Sequence, residues 1–390
     1  MRYSGLSLKG RKSVVRVSVV RCTAYDETVL DRALDVSLDL IGGLESFVSA
    51  GQTVLLKPNL LEARDGESGA TTDKRVVGLL AEKVLALGGK AVVGDSPGLR
   101  YRGAGETVLR ETGTRAYCES RGAEVVSFDN TEIVETRIPD AAILKHVYLA
   151  AAALEADVLV TVPKLKTHSL TVMTGAVKNL YGVLPGGQKT LGHVLGETKE
   201  TFADLLLDLY ALLKPKLAVM DAVTGMTRSW RTGTDRIEPG LLLASADSVA
   251  LDAAACMLAG ISPFDVPMLR RAHERGLGVA DPAEIEIVGD GAGARIEGFA
   301  APARSLVAWP FLRLFASAIK KEDPRVSPEL CDRCGNCLKA CPSNAVRMTD
   351  SGAWIELDAC IRCFCCHELC PRRAVEIDRG WLGQRLFGAR

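Results

Sequence analysis

The chain has 390 residues, of which 47% are apolar and 25% are charged, a composition typical of folded globular proteins. This length exceeds what one small domain needs and fits a large domain joined to a small one. The 48 basic and 48 acidic side chains cancel, and aromatic residues make up only 5% of the chain. Without excess positive charge or many aromatic rings, the protein is not expected to bind nucleic acid.

The N-terminal segment mixes basic side chains with short apolar runs and contains no continuous apolar stretch. It therefore lacks the pattern of a signal peptide. No apolar stretch elsewhere reaches the roughly 18 residues that suggest a membrane span. We expect a cytoplasmic protein without a membrane span.

Short β-branched runs alternate with longer amphipathic stretches from residue 14 to residue 288. The runs predict strands at residues 14–20, 53–56, 91–93, 125–128, 157–162, 217–220, 241–244 and 285–288. The amphipathic stretches predict helices at residues 27–48, 74–87 and 202–213. This alternation is typical of an α/β domain, in which helices cover both faces of a mostly parallel sheet. We assign residues 1–300 to that domain.

The alternation stops near residue 293, where prolines become frequent. Residues 301–326 then predict a linker with one short apolar helix, residues 327–378 a small α+β two-cluster ferredoxin-like domain, and residues 379–390 a tail. Both the apolar helix and the tail are compatible with a membrane surface or with packing against the large domain. Packing is the more common fate of such segments and is preferred here.

Nine of the twelve cysteines lie between Cys331 and Cys370. Eight of them form two sets with the spacing C-x2-C-x2-C-x3-C-P, and each member of the second set follows its counterpart by 29 residues. Disulfide-stapled secreted proteins are short and distribute their cysteines through the fold. The clustering therefore indicates metal ligands.

The spacing resembles that of bacterial two-cluster ferredoxins, in which the fourth cysteine of each set binds the cluster of the other set. On that pattern one [4Fe–4S] cluster has the ligands Cys331, Cys334, Cys337 and Cys370. The second [4Fe–4S] cluster has the ligands Cys360, Cys363, Cys366 and Cys341. Paired zinc sites are the alternative, but they are not usually spaced with a third cysteine and a Cys-Pro. Cys365 falls outside the pattern.

Polar residues follow five of the predicted strands, at the carboxyl ends where ligands bind in open parallel sheets. They include Lys57, Asn59, Asp95, Ser96, Lys164, Lys166, His168 and Asp221. If the chain stays extended after residue 163, then Lys164, Lys166 and His168 point to one side. In the following segment, 171–182, Thr174 and Lys178 have helical i, i+4 spacing, with Asn179 beside them.

This group of lysines with a histidine indicates a pocket for a small anionic substrate. A lysine among other cations loses its proton more readily, which suits a base or a Schiff-base nucleophile. Solvated surface lysines are the alternative, but residues 158–194 contain no acid to balance them. Asp95 and Ser96 lie in a Gly-rich turn that can either bind a substrate phosphate or cap a helix.

Several segments resemble the signatures of the DUF362 family, which is of uncharacterised function and often fused to such ferredoxin domains. They are Leu55-Leu56-Lys57-Pro58-Asn59-Leu60, Gly94-Asp95-Ser96-Pro97-Gly98, Val162-Pro163-Lys164-Leu165-Lys166-Thr167-His168, Gly175-Ala176-Val177-Lys178-Asn179-Leu180-Tyr181-Gly182 and Ala244-Ser245-Ala246-Asp247-Ser248-Val249-Ala250-Leu251-Asp252. The resemblance covers about residues 14–289. It departs after Asp221, where family members tend to have a glycine-rich stretch and this chain is bulkier and more cationic. This departure implies that the substrate differs from that of other members.

The Pro-Lys-x-Lys-x-His run is also distantly similar to the N-terminal domain of nickel-pincer lactate racemases. The resemblance implies cofactor and acid–base roles for such residues, but the nickel cofactor is not carried over to this chain.

The leading hypothesis is an iron–sulfur oxidoreductase of anaerobic metabolism, whose two [4Fe–4S] clusters relay electrons between a redox partner protein and a small anionic substrate. The predicted catalytic residues are Lys164, Lys166, His168 and Lys178, with Lys164 or Lys178 supplying charge or a proton and His168 acting as general acid. The predicted substrate-binding residues are Lys57, Asn59, Asp95, Ser96, Asn179 and Asp221. No flavin or NAD motif is visible. The alternatives are a racemase- or lyase-like enzyme with structural or regulatory clusters, and a non-enzymatic electron carrier that docks to a partner.

Overall fold

Most of the α/β region and part of the cysteine-rich region are described by the computed structural model. The described residues are 14–61, 66–97, 104–168, 171–185, 189, 198–227, 236–299, 323–339, 341, 343–360, 366, 370, 372 and 374–378. The predicted apolar helix of the linker, the tail and Cys363 lie outside them.

All eight predicted strands of the α/β region are present, and four of them are longer than predicted. The strands are β1 Val15–Arg21, β2 Thr53–Pro58, β3 Lys90–Asp95, β4 Glu124–Ser127, β5 Ile133–Arg137, β6 His146–Ala150, β7 Val158–Val162, β8 Lys164–His168, β9 Val172–Thr174, β10 Leu217–Met226, β11 Arg236–Ile237, β12 Leu241–Ser245 and β13 Ile285–Val288. The pairs β5–β6 and β8–β9 and the short strand β11 were not predicted.

Within the described residues, eleven strands form one sheet, whose main path runs β13-β1-β12-β10-β7-β2-β3-β4. The neighbours β10, β7, β2, β3 and β4 are all parallel, whereas β12 is antiparallel to both β1 and β10. The mostly parallel sheet predicted from the sequence is therefore confirmed. Because β10, β7, β2 and β3 are parallel neighbours, their carboxyl ends lie side by side at one edge of the sheet.

Helices cover both faces of this sheet, as predicted. They are α1 Glu27–Asp39, α2 Lys74–Ala86, α3 Ala104–Glu111, α4 Thr114–Glu119, α5 Ala152–Glu155, α6 Ala176–Asn179, α7 Lys199–Leu213, α8 Ser248–Leu258 and α9 Pro267–Glu274. The first helix was predicted to reach residue 48, but it ends at Asp39. Gly42 and Gly43 follow with φ values of +108° and +79°, which are incompatible with a right-handed helix.

Alternate side chains of the central strands enter two separate cores. Leu55 packs with α6 to α9 on one face, whereas Val54 and Leu56 pack with α1 and α2 on the other. In β7 every residue from Val158 to Val162 is buried, because helices cover both sides of the strand. Of the helices described here, none combines the length and apolar character needed to cross a bilayer.

The cysteine-rich region forms small antiparallel strand pairs with a core of its own. Its elements are β14 Asp323–Val326, α10 Asn336–Lys339, β15 Val346–Thr349, β16 Gly352–Ile355 and β17 Val375–Asp378. The first strand pairs with the last, with Asp323 opposite Asp378, while β15 and β16 form a hairpin. The core contains Cys337, Cys366 and Cys370 among small apolar residues.

Candidate functional site

A buried ion pair joins the carboxyl ends of β2 and β3. Lys57 Nζ donates to Asp95 Oδ1 over 2.6 Å, and both side chains are almost completely buried. Asp95 Oδ2 accepts from the backbone N–H of Leu60 over 2.7 Å, so the carboxylate also fixes the turn after β2. Burial lowers the pKa of Lys57 and raises the pKa of Asp95, and the charge of each partner opposes the shift of the other.

A second buried pair lies where β8 runs alongside β10. Lys164 Nζ donates to Asp221 Oδ2 over 2.9 Å, to Thr224 Oγ1 over 3.0 Å and to the hydroxyl of Tyr25 over 2.5 Å. The Tyr25 hydroxyl in turn donates to Asp221 Oδ1 over 2.8 Å. Lys164 and Asp221 are completely buried. The Lys164 amine thus donates to three protein oxygens where β8 runs beside β10.

Amide side chains connect the first pair to Lys166. Lys166 Nζ donates to Asn59 Oδ1 over 2.5 Å and to the carbonyl oxygen of Ala70 over 2.9 Å. Asn59 Nδ2 donates to Asn179 Oδ1 over 3.2 Å, and that same oxygen accepts from Lys57 Nζ over 3.2 Å. Asn59 and Asn179 thus join the carboxyl end of β2 to helix α6.

The turn after β3 is held by a lysine that the sequence did not single out. Lys189 Nζ donates to the carbonyl oxygen of Ser96 over 2.5 Å, to Ser96 Oγ over 2.7 Å and to the carbonyl oxygen of Pro97 over 2.8 Å. Ser96 Oγ donates to Asp129 Oδ1 over 2.5 Å. In the predicted Gly-rich turn, the polar atoms of Ser96 are therefore already bonded to Lys189 and Asp129.

Helix α6 is positioned by an aspartate from α8. The backbone N–H groups of Ala176 and Val177 donate to the carboxylate of Asp252 over 2.7 and 3.2 Å. The approach is close enough that a Cβ at Gly175 would lie under 3.0 Å from that carboxylate. Burial raises the pKa of Asp252 to about 7, although the two N–H groups oppose this shift. The contact fixes the backbone that carries Lys178.

The Lys178 amine differs from the other lysines of the site. Among the described residues it has no hydrogen-bond or ion-pair partner, and the side chain is partly exposed. Burial, followed by the positive charges of Lys57 and Lys189, lowers its pKa to about 8. Neighbouring cations make a further positive charge unfavourable. An anion bound here would offset the charges of Lys57 and Lys189 and would favour the charged form of Lys178.

Hydrogen bonds link Lys57, Asn59, Asp95, Lys166 and Asn179 into one group, whereas Lys164 and Asp221 belong to a second. Segment 171–182 is not one helix, because Val172 has a φ of +68° and Thr174 belongs to β9, while Lys178 lies in the short helix α6. His168 lies at the more exposed end of β8, where its Nδ1 accepts from the backbone N–H of Thr171 over 3.4 Å.

Tyr25, Thr224 and Lys189 were missed by sequence reasoning. Tyr25 follows β1, whose carboxyl end lies at the same edge as that of β10, so the rule of examining each strand end would have found it. Thr224 lies within β10, and Lys189 lies in a glycine-containing segment; neither has a local signal.

In the cysteine-rich region, Cys331, Cys334, Cys337 and Cys370 line one cavity. Three of these cysteines come from one motif and the fourth from the other, which is the interleaved arrangement expected from the spacing. Burial raises the pKa of the Cys337 thiol, and the three other sulfurs raise it further. Repulsion among four thiolates here would be relieved by a positively charged group between them, such as an iron–sulfur core.

Equivalent backbone groups donate to sulfur in the two halves of the region. The N–H of Ala345 donates to Cys341 Sγ over 3.1 Å, and that of Ala374, 29 residues later, donates to Cys370 Sγ over 3.2 Å. Ala353 N–H also points to Cys331 Sγ over 3.4 Å. Such N–H···S contacts stabilise thiolate ligands and tune the cluster potential.

Comparisons with known proteins match two separate parts of the chain to known domains. The DUF362 domain of unknown function matches residues 54–257, and a 4Fe-4S dicluster domain matches residues 323–371. The thylakoid-associated protein sll1697 of Synechocystis sp. is 31% identical over 265 residues, which are 68% of this chain and 80% of that protein. The lactate racemase apoprotein from Thermoanaerobacterium thermosaccharolyticum matches 64% of this chain and 58% of its own length, with 11% identity and a TM-score of 0.44. The chain belongs to the DUF362 family and carries a ferredoxin-type 4Fe–4S dicluster domain in its C-terminal part.

Proposed function

We propose that the protein is an iron–sulfur oxidoreductase that exchanges electrons with a small anionic substrate bound at Lys178. The C-terminal domain would hold two [4Fe–4S] clusters, which supply or accept single electrons when bound.

One observation carries the choice of an anionic substrate. Lys57 and Lys164 are each matched by a buried aspartate, whereas the Lys178 amine has no acceptor among the described residues. The residue is partly exposed. A cation held without a counter-ion beside other cations is an arrangement that a bound anion would complete.

The other pocket residues divide by their contacts. We assign Lys178 to direct contact with the substrate and His168, at the exposed end of β8, to proton donation. Lys57, Asp95, Lys164 and Asp221 would hold the strand ends in place, because their charged atoms already bind one another. Lys166, Asn59, Asn179 and Ser96 would complete the pocket wall.

For the clusters, we assign Cys331, Cys334, Cys337 and Cys370 to one quartet, because these four sulfurs line a common cavity. The second quartet would be Cys360, Cys363, Cys366 and Cys341. Cys334 is exposed, so one edge of the first cluster would be accessible to a redox partner protein. We place the reaction in the cytoplasm, since Cys22, Cys118 and Cys256 are buried free thiols typical of a reducing compartment.

The experiment uses full-length protein purified and handled without oxygen. Its clusters are reduced, small carboxylates and phosphates are added one at a time, and the visible absorbance of the clusters is followed. The proposal expects at least one anion to reoxidise the clusters with formation of a reduced product. Lys178→Gln should abolish this reaction, whereas Lys216→Gln, which changes an exposed lysine, should not. Reoxidation that is unaffected by Lys178→Gln would indicate an electron carrier instead.

A racemase- or lyase-like activity is the second candidate, and the pKa of about 8 at Lys178 favours it. A group with a pKa near neutrality can give and accept a proton at physiological pH. In that case turnover of the anion would proceed equally with oxidised and with reduced clusters.

A further inference from the structure

We propose that Lys178 forms an imine with its substrate, and that the substrate is therefore a small 2-oxo acid, with a carbonyl carbon next to a carboxylate. The inference rests on the proposed anion site and specifies its chemistry. It draws on three features of the site: the chemical surroundings of the amine, the anchoring of its backbone and the charges beside it.

The amine of Lys178 is chemically available in a way that its neighbours are not. Lys57, Lys164, Lys166 and Lys189 each donate at least two hydrogen bonds to protein oxygens. Hydrogen bonds to carboxylate and carbonyl oxygens favour the protonated ammonium form, which has no lone pair for bond formation. Lys178 makes no such contact with any described residue, and the residue is partly exposed.

The backbone beneath this side chain is fixed from two sides. Asp252 binds the first two N–H groups of α6, and Asn179 donates to the carbonyl oxygen of Lys57 over 2.8 Å and to Thr161 Oγ1 over 3.0 Å. The lysine Cα is thereby anchored on both the preceding and the following residue. A lysine whose backbone is held in place, and whose amine has no partner among the described residues, is favourably placed for attack on a bound carbonyl group.

The nearby positive charges favour both functional groups of a 2-oxo acid, the carbonyl and the carboxylate. Lys57 and Lys189 help to lower the pKa of Lys178 to about 8, so that roughly a tenth of the amine is neutral at about pH 7. The same positive charges attract the carboxylate of the substrate. An aldehyde or ketone without a carboxylate could react with the neutral amine, but these positive charges would not attract it.

The step balances without any redox partner. The lone pair of the neutral amine forms the C–N bond while the π pair of the carbonyl moves to its oxygen. The oxygen then leaves as water, taking with it the two hydrogens lost from nitrogen. The product is an imine, which becomes an electron-withdrawing iminium on protonation.

The test treats the full-length protein with glyoxylate or pyruvate in the presence of cyanoborohydride, which converts an imine into a stable amine. Intact-mass and peptide mass spectrometry should find one reduced adduct per chain, on the peptide that contains Lys178. Lys178→Arg should lose the adduct, and Lys216→Arg should keep it. Far-UV circular dichroism of both variants checks that they fold.

Binding of each acid is measured in parallel by calorimetry, without the reductant. Binding without an adduct would overturn the imine and leave the anion site intact. Absence of binding would overturn the imine, whereas the proposed function is overturned only if no carboxylate or phosphate reoxidises the reduced clusters. Adducts spread over exposed lysines, or retained in Lys178→Arg, would also overturn the imine.

Discussion

Lys57 Nζ and Asp95 Oδ1 lie 2.6 Å apart, and the backbone of Gly182 packs directly against this pair. A Cβ at position 182 would come closer than 3.0 Å to both atoms, which real Cβ atoms essentially never do. The ion pair that joins β2 to β3 therefore depends on the absence of a side chain at a residue far away in the sequence.

Gly182→Ala should separate this ion pair. We expect a loss of about 1–3 kcal/mol in the free energy of unfolding, because an extra methyl group is forced into a packed site. Urea unfolding followed by far-UV circular dichroism measures this loss. Gly293→Ala is the matched control, since nothing lies within 4 Å of a Cβ placed there. Equal midpoints for the two variants would contradict the packing argument.

Lys164→Met should be among the most damaging substitutions in the α/β domain. It leaves the carboxylate of Asp221 buried without its cation, which typically costs about 3–5 kcal/mol in the free energy of unfolding. The double variant Lys164→Met/Asp221→Asn should recover part of this loss, because asparagine is neutral and its oxygen can still accept from the N–H of Asp73. A double variant no more stable than Lys164→Met would show that charge burial is not the cause.

Anion binding at Lys178 should depend on pH with a defined sign. The amine is charged below its pKa of about 8, so the affinity for a carboxylate should be highest at lower pH and fall as pH rises through about 8. The rate of imine formation should change in the opposite direction, because the neutral amine is the nucleophile. Calorimetric titrations and trapping rates over this pH range measure the two trends. In Lys178→Arg the affinity should not change near pH 8, since guanidinium stays charged.

Pairs of cysteine substitutions can test the interleaved ligand sets. If Cys331 and Cys370 bind the same cluster, Cys331→Ser/Cys370→Ser should lose no more iron than either single variant, about four of about eight atoms per chain. Cys331→Ser/Cys341→Ser should lose nearly all of it. Cys365→Ser is the control and should retain full iron content. Iron analysis of anaerobically purified protein distinguishes these outcomes, and the reverse result for the two pairs would exclude interleaving.

The alternation of strands and helices was predictable because each of these elements has a residue pattern within its own segment of the sequence. A strand buried on both faces, such as Val158–Val162, is an unbroken apolar run. The hairpin β5–β6 has several exposed polar positions, among them His146 and Glu135, and lies outside the main sheet, so it gives no such signal. Its existence depends on packing that the sequence does not display.

The composition of the site was predictable, but its charge balance was not. No acid lies among residues 158–194, which contain Lys164, Lys166 and Lys178, and this favoured a pocket with several unmatched cations. The structure supplies Asp95 to Lys57 from 38 residues away and Asp221 to Lys164 from 57 residues away. These partners meet because β3 lies next to β2 and because β10 lies next to β8, and strand order is a property of the folded chain. Only the structure shows that Lys178, unlike Lys57 and Lys164, has no hydrogen-bond or ion-pair partner among the described residues.

The pairing of β14 with β17 has a consequence for how the ferredoxin domain can be handled. Because Asp323 lies opposite Asp378, the chain enters and leaves this domain at adjacent points. The β14–β17 pair thus holds the two ends of the domain side by side. It can in principle be excised, grafted into a surface loop of another protein or circularly permuted without stretching the connection at either end.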